Sequence, residues 1–94
     1  MLFPVGQIIF SKGVLQYTSI DPAFYKFIMS CLQQHCKGKY GEVDDIDKFY
    51  NNQSAKFGGD IILSSYTYKP ANTAVWILTE ADRSYTTILL PEEY

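Results

Sequence analysis

At 94 residues, 47% of them hydrophobic, the chain has room for one domain and the composition of a folded one. Eight Lys and Arg against ten Asp and Glu give a net charge of −2, leaving no cationic excess for a nucleic-acid groove. No run approaches the ~18 apolar residues that cross a bilayer, and MLFPVGQIIF at the start lacks the basic region and cleavage site of a secretory signal.

In chain order, Gly6–Phe10 reads as a short strand limited by Pro4 and Gly6. Ser11 is placed to cap a short helix running through Tyr17, with Gly13 a weak point inside it. Asp21-Pro22 is a firmer start signal, an N-cap followed by proline at the first helical position. From there Phe24, Phe27, Ile28, Cys31, Leu32 and His35 recur at helical spacing as one apolar stripe, and Lys37-Gly38 ends the helix. Lys39–Val43 is a linking loop. A second long helix starts near Asp44 or Asp45 with acids in its first turn and stops at Gly58-Gly59. Its inward stripe is expected to be Ile46, Phe49, Tyr50, Gln53 and Phe57, while Asn51 and Asn52 are poor helix formers near its middle.

Three strands follow. Ile61–Tyr68 alternates, with Ile62, Ser64, Tyr66 and Tyr68 on one side, and Lys69–Asn72 turns the chain. Ala74–Thr79 and Ser84–Leu90 form a hairpin around the polar turn Glu80–Arg83. Trp76 and Leu78 share one face and Val75 and Ile77 the other, which predicts a central strand covered on both sides. The expected architecture is a single α+β domain: an N-terminal strand, a helical middle of one short and two longer helices, and a C-terminal three-stranded antiparallel meander. The helices are expected to pack on one face, with the first strand joining near the last.

Chemistry-bearing clusters are sparse. Cys31 and His35 share a helical face and could supply half of a zinc site, but Cys36 diverges by about 140° and there is no second histidine. The same geometry opposes a disulfide, and two free thiols suit a reducing cytoplasm. A cysteine nucleophile would lack a group to orient His35, so both thiols read as small hydrophobes. The acids at Glu42, Asp44, Asp45 and Asp47 fail as a calcium loop, since counting from Asp44 puts Phe49 at the glycine position and Ala55 at the glutamate position. No metal or cofactor is expected. The candidate interaction surface is Glu80, Asp82, Arg83 and Tyr85, where two carboxylates, the chain's arginine and an aromatic cluster at a loop. The plain alternative is local pairing that shapes the turn. Eight tyrosines exceed what a core of this size buries, pointing to a protein partner or a second copy of the chain ahead of a nucleic acid, and no membrane is expected.

The run WILTEADRSYTTILLPEEY, Trp76 to Tyr94, resembles the closing signature of a family of small bacterial proteins carried on plasmids and other mobile elements. The similarity extends to FPVGQIIF, to KGKYG ending at Gly41, and to Asp47-Lys48 and Gly58-Gly59. Some members are labelled as modification subunits of type I restriction systems, methyltransferases for which this chain lacks the length and the glycine-rich turn. The resemblance implies at most a neighbourhood of restriction or defence genes, and it carries over no catalytic residues. The expected function is a non-catalytic protein-interaction or regulatory role in mobile-element biology. A nucleic-acid-linked accessory or anti-defence role would require Lys12, Lys37, Lys39 and Arg83 to converge. An enzyme would have to use Glu80 and Asp82 as an acid–base pair.

Overall fold

In the computed structural model, which describes residues 1–94, side-chain caps fix where each helix begins. Ser11 Oγ accepts from Val14 N at 3.2 Å and opens α1 (Lys12–Ile20), which runs past Tyr17. Asp21 Oδ1 accepts from Ala23 N at 3.0 Å and Phe24 N at 3.3 Å, opening α2 (Pro22–Cys36). Its other carboxylate oxygen accepts from the Tyr68 hydroxyl at 3.0 Å, which ties that cap to the sheet. Asp44 Oδ1 accepts from Asp47 N at 2.8 Å and opens α3 (Asp45–Phe57). The helix ends follow the same logic, with Gly38 beyond α2 and Gly58 beyond α3 both at positive φ.

The strands are β1 (Gln7–Phe10), β2 (Ile62–Tyr68), β3 (Thr73–Thr79) and β4 (Tyr85–Leu89), so the expected ends at Gly6, Ile61, Ser84 and Leu90 fall just outside. They form one sheet in the order β1-β4-β3-β2. The last three are the antiparallel meander, and β1 joins parallel to β4 with Gln7 opposite Tyr85 and Phe10 opposite Ile88. Gly6 makes that junction possible. Its φ is +62°, and a Cβ there would strike the backbone carbonyls of Arg83 and Ser84.

One face of the sheet carries the main core. Tyr66, Tyr68, Val75, Ile77 and Ile88 meet Val14 of α1 and Phe24, Ile28 and Cys31 of α2. Aromatic rings knit it, with Phe24 stacked on Tyr17 at 4.1 Å and edge-on to Tyr68 at 5.1 Å. A smaller cluster of Phe3, Tyr40 and Ile62 closes the end where α3 begins to pack. On the opposite face, Leu78 and Leu89 are buried and Trp76 is half-buried beneath Tyr94, whose ring lies 5.6 Å away. β3 is therefore central and covered on both sides.

The third helix departs from expectation. Ile46, Phe49, Tyr50 and Phe57 are 57–72% exposed, and Gln53 is exposed with them, so the stripe expected to face inward faces solvent. The buried residues of α3 are Asn51 and Ser54. α3 lies along the outer edge of β2 instead of over the core, and an edge strand needs polar partners. The Asn51 side chain supplies both: Nδ2 donates to Leu63 O at 2.8 Å and Oδ1 accepts from Leu63 N at 3.2 Å. The 39–43 loop satisfies the next pair, Ser65 N donating to Tyr40 O at 3.1 Å and Ser65 O accepting from Glu42 N at 2.7 Å. Gly41 at φ +74° lets the loop come this close, since a Cβ would collide with Ser65 O.

Replacing Asn51 by Ala leaves a half-buried backbone donor and acceptor on β2 without partners. Urea titration should show Asn51→Ala less stable by about 2–3 kcal/mol, whereas Asn52→Ala on the exposed side should change stability by about 0.5 kcal/mol or less.

Candidate interaction surface

The turn between β3 and β4 is built by its own side chains. Asp82 Oδ1 accepts from Ser84 N at 2.9 Å and from Ser84 Oγ at 2.6 Å. These bonds hold the Asp82 carboxyl below the ordinary carboxylate range, the direction opposite to that of a general acid at neutral pH. Arg83 sits at φ +62°. Its side chain folds back over the protein as a strut: Nη1 donates to the carbonyls of Asp60 (2.8 Å), Glu80 (3.1 Å) and Ala81 (3.2 Å). Nη2 donates to Ser54 O at 2.7 Å and Ser54 Oγ at 2.9 Å. The guanidinium also lies 5.7 Å from the centre of the Phe3 ring. A cation thus binds a carbonyl of the last turn of α3, where the helix dipole favours it.

The four expected surface residues therefore separate. Arg83 is half-buried with both terminal nitrogens engaged, and Asp82 is exposed but committed to Ser84. Glu80 and Tyr85 line a hollow of about 290 Å³ on the outer sheet face, together with Ile61, Leu78, Leu89 and Tyr94. The Glu93 carboxylate at its rim accepts from Ser11 Oγ, Gly13 N and Leu90 N, which lowers its pKa and pins the C-terminal turn to the start of α1.

His35 lies fully buried between α2 and the sheet. Its Nδ1 is 2.5 Å from Ser64 Oγ and its Nε2 is 2.8 Å from Thr79 Oγ1. Thr79 Oγ1 meets Thr86 Oγ1 at 2.7 Å, and Thr86 Oγ1 donates to Val5 O at 2.7 Å. The carbonyl at the end can only accept, so each hydroxyl donates toward it. His35 then carries its proton on Nε2 and accepts from Ser64 through Nδ1. Both ring nitrogens are occupied inside the fold. Cys31 beside it is buried, and desolvation pushes its thiol up to about 12, against thiolate chemistry at neutral pH. No three His, Cys, Asp or Glu side chains converge as a metal site. Lys39 and Lys48 line a shallow polar hollow with Gln34 and Asn52, while Arg83 is occupied by carbonyls.

The surface that sequence reasoning missed is the outer face of α3. Phe49 and Tyr50 meet edge-on at 5.6 Å, and the Lys56 ammonium lies 5.4 Å from the centre of the Phe57 ring. Two hollows flank Tyr50. One of about 310 Å³ reaches Gln53, Phe57 and Gly58-Gly59, and another of about 250 Å³ reaches Asp47, Asp60 and Ile61. The signal was in the sequence as Lys48, Asn51, Ser54 and Ala55, a small and polar face centred about 150° around the axis from the aromatic one.

Comparison with protein-family models gives no match. Neither curated proteins nor solved structures give one either.

Burial lowers the pKa of His35 from 6.5 to about 4. Between these values the unfolded chain binds a proton that the folded protein refuses, so stability falls as pH falls through that window. The slope is about 1.4 kcal/mol per pH unit, about 3 kcal/mol in all. Asp82 and Glu93, with pKa values lowered from 3.8 and 4.5, keep their contributions above those values and lose them below, at the acid end of this window and beyond. Urea midpoints taken from neutral pH down to about 4 should drop through this range in the wild type and stay flatter in His35→Asn.

Proposed function

We propose that this chain is a non-catalytic binding protein that holds a protein partner against the outer face of α3. The observation carrying the reading is the inverted helix: Ile46, Phe49, Tyr50 and Phe57 point into solvent while Asn51 and Ser54 point inward. Contiguous exposed apolar surface of this kind is costly in water and marks interaction sites, and aromatic residues dominate the centres of protein interfaces. The resemblance of Trp76–Tyr94 to proteins of mobile elements suits an accessory or regulatory role beside defence genes.

The direct test is photocrosslinking in living cells with benzoylphenylalanine in place of Phe49. A discrete crosslinked product is expected from this position and not from a control at Gln33, which is exposed on α2. No product, or the same product from both positions, would overturn the reading.

A further inference from the structure

We infer that the partner seated on α3 is a second copy of this chain, paired antiparallel across a two-fold axis. This rests on the reading of α3 as an interaction face and adds the identity of the occupant.

Charge placement is the first argument. α3 carries Asp45 and Asp47 in its first turn and Lys56 in its last. Around the helix axis, Asp45 and Lys56 lie on the same flank of the aromatic stripe, each about 80–100° from its centre. A two-fold axis through the middle of the stripe reverses the helix but keeps that flank in place. Asp45 of each copy then comes beside Lys56 of the other, so the pairing forms twice. A parallel pair would instead bring Asp45 of one copy toward Asp47 of the other, like charge against like, and align the two helix dipoles unfavourably.

Shape and area agree with this arrangement. Matching Ile46 of one copy with Phe57 of the other brings the two Tyr50–Gln53 segments together at the axis. Each copy offers a hollow of about 310 Å³ lined by Tyr50, Gln53 and Phe57, so aromatic knobs and a receiving hole lie on the same face, as an isologous contact requires. Ile46, Phe49, Tyr50 and Phe57 expose about 500 Å² of apolar surface per copy. Two copies with Gln53 and the charged flanks reach about 1,200 Å², the lower bound for a specific stable interface. The predicted dimer is consequently a modest one, in exchange with the monomer.

Sedimentation equilibrium over a concentration series tests the inference. The wild type should move from monomer to twice the monomer mass as concentration rises. The exposed double substitution Phe49→Glu with Phe57→Glu should raise the dissociation constant about thirtyfold or more while leaving the circular dichroism unchanged. Lys56→Glu alone should weaken pairing about threefold, and adding Asp45→Lys should restore it, because the swapped charges again face each other. A monomer at every concentration, or charge variants whose effects simply add, would overturn antiparallel self-pairing. The crosslinked product from Phe49 separates the two proposals: twice the monomer mass supports self-pairing, and a discrete product of another mass retains the binding role while removing the second copy.

Discussion

The outer edge of β2 needs hydrogen-bond partners, and that need governs how the rest of the chain is arranged. A terminal strand leaves every second backbone N–H and C=O unpaired. Here Asn51 takes those of Leu63, and the loop at Tyr40–Glu42 takes those of Ser65. Placing an asparagine against the strand turns the polar side of α3 inward. Because the aromatic stripe lies on the other side of the same helix, the hydrogen bonds that protect the edge also put Phe49, Tyr50 and Phe57 in water. Arg83 locks the arrangement by bridging the β3–β4 turn to Ser54 and to the Asp60 carbonyl. Hairpin, edge strand and third helix thereby form one mechanical unit.

The interior is divided between two kinds of cohesion. Toward the start of α2, rings and branched side chains pack around Phe24 and Tyr68 without buried charge. Toward its end, His35 enters a row of hydroxyls that crosses the sheet from Ser64 through Thr79 and Thr86 to the carbonyl of Val5. Every partner in that row is satisfied in one direction only, which specifies register between β2, β3, β4 and the N-terminal segment more sharply than apolar contact would. The same row leaves His35 no free nitrogen for catalysis or metal binding.

Much of the fold was legible in the sequence, because the signals for it are local. Ser11, Asp21-Pro22 and Asp44 cap the helices by reaching their own first turns, and alternation along Ile62–Tyr68 sorted that strand into its two faces, the one with Ile62, Ser64, Tyr66 and Tyr68 being buried. Periodicity on α3 was also read correctly as one apolar face, but it carries no information about which way that face points. The orientation depends on the unpaired backbone at Leu63, remote in sequence and invisible in a helical wheel. The contacts of Arg83 were hidden for a related reason. It stands in a polar turn where loops carry function, yet its acceptors are carbonyls at Ser54 and Asp60, supplied only once α3 is in place. Tyrosine count was informative in part: Tyr40, Tyr66 and Tyr68 are buried, while Tyr25, Tyr50, Tyr85 and Tyr94 remain at the surface.

The orientation of α3 is best tested by nuclear Overhauser contacts in solution. If Asn51 clamps the edge strand, its side-chain amide protons will show contacts to the Leu63 amide and α protons, and the Phe49 and Phe57 rings will show none to the methyl groups of Ile62, Val75 or Ile77. Ring contacts from Phe49 or Phe57 to those core methyls, with none from Asn51 to Leu63, would mean that the helix packs the other way round and would contradict the account.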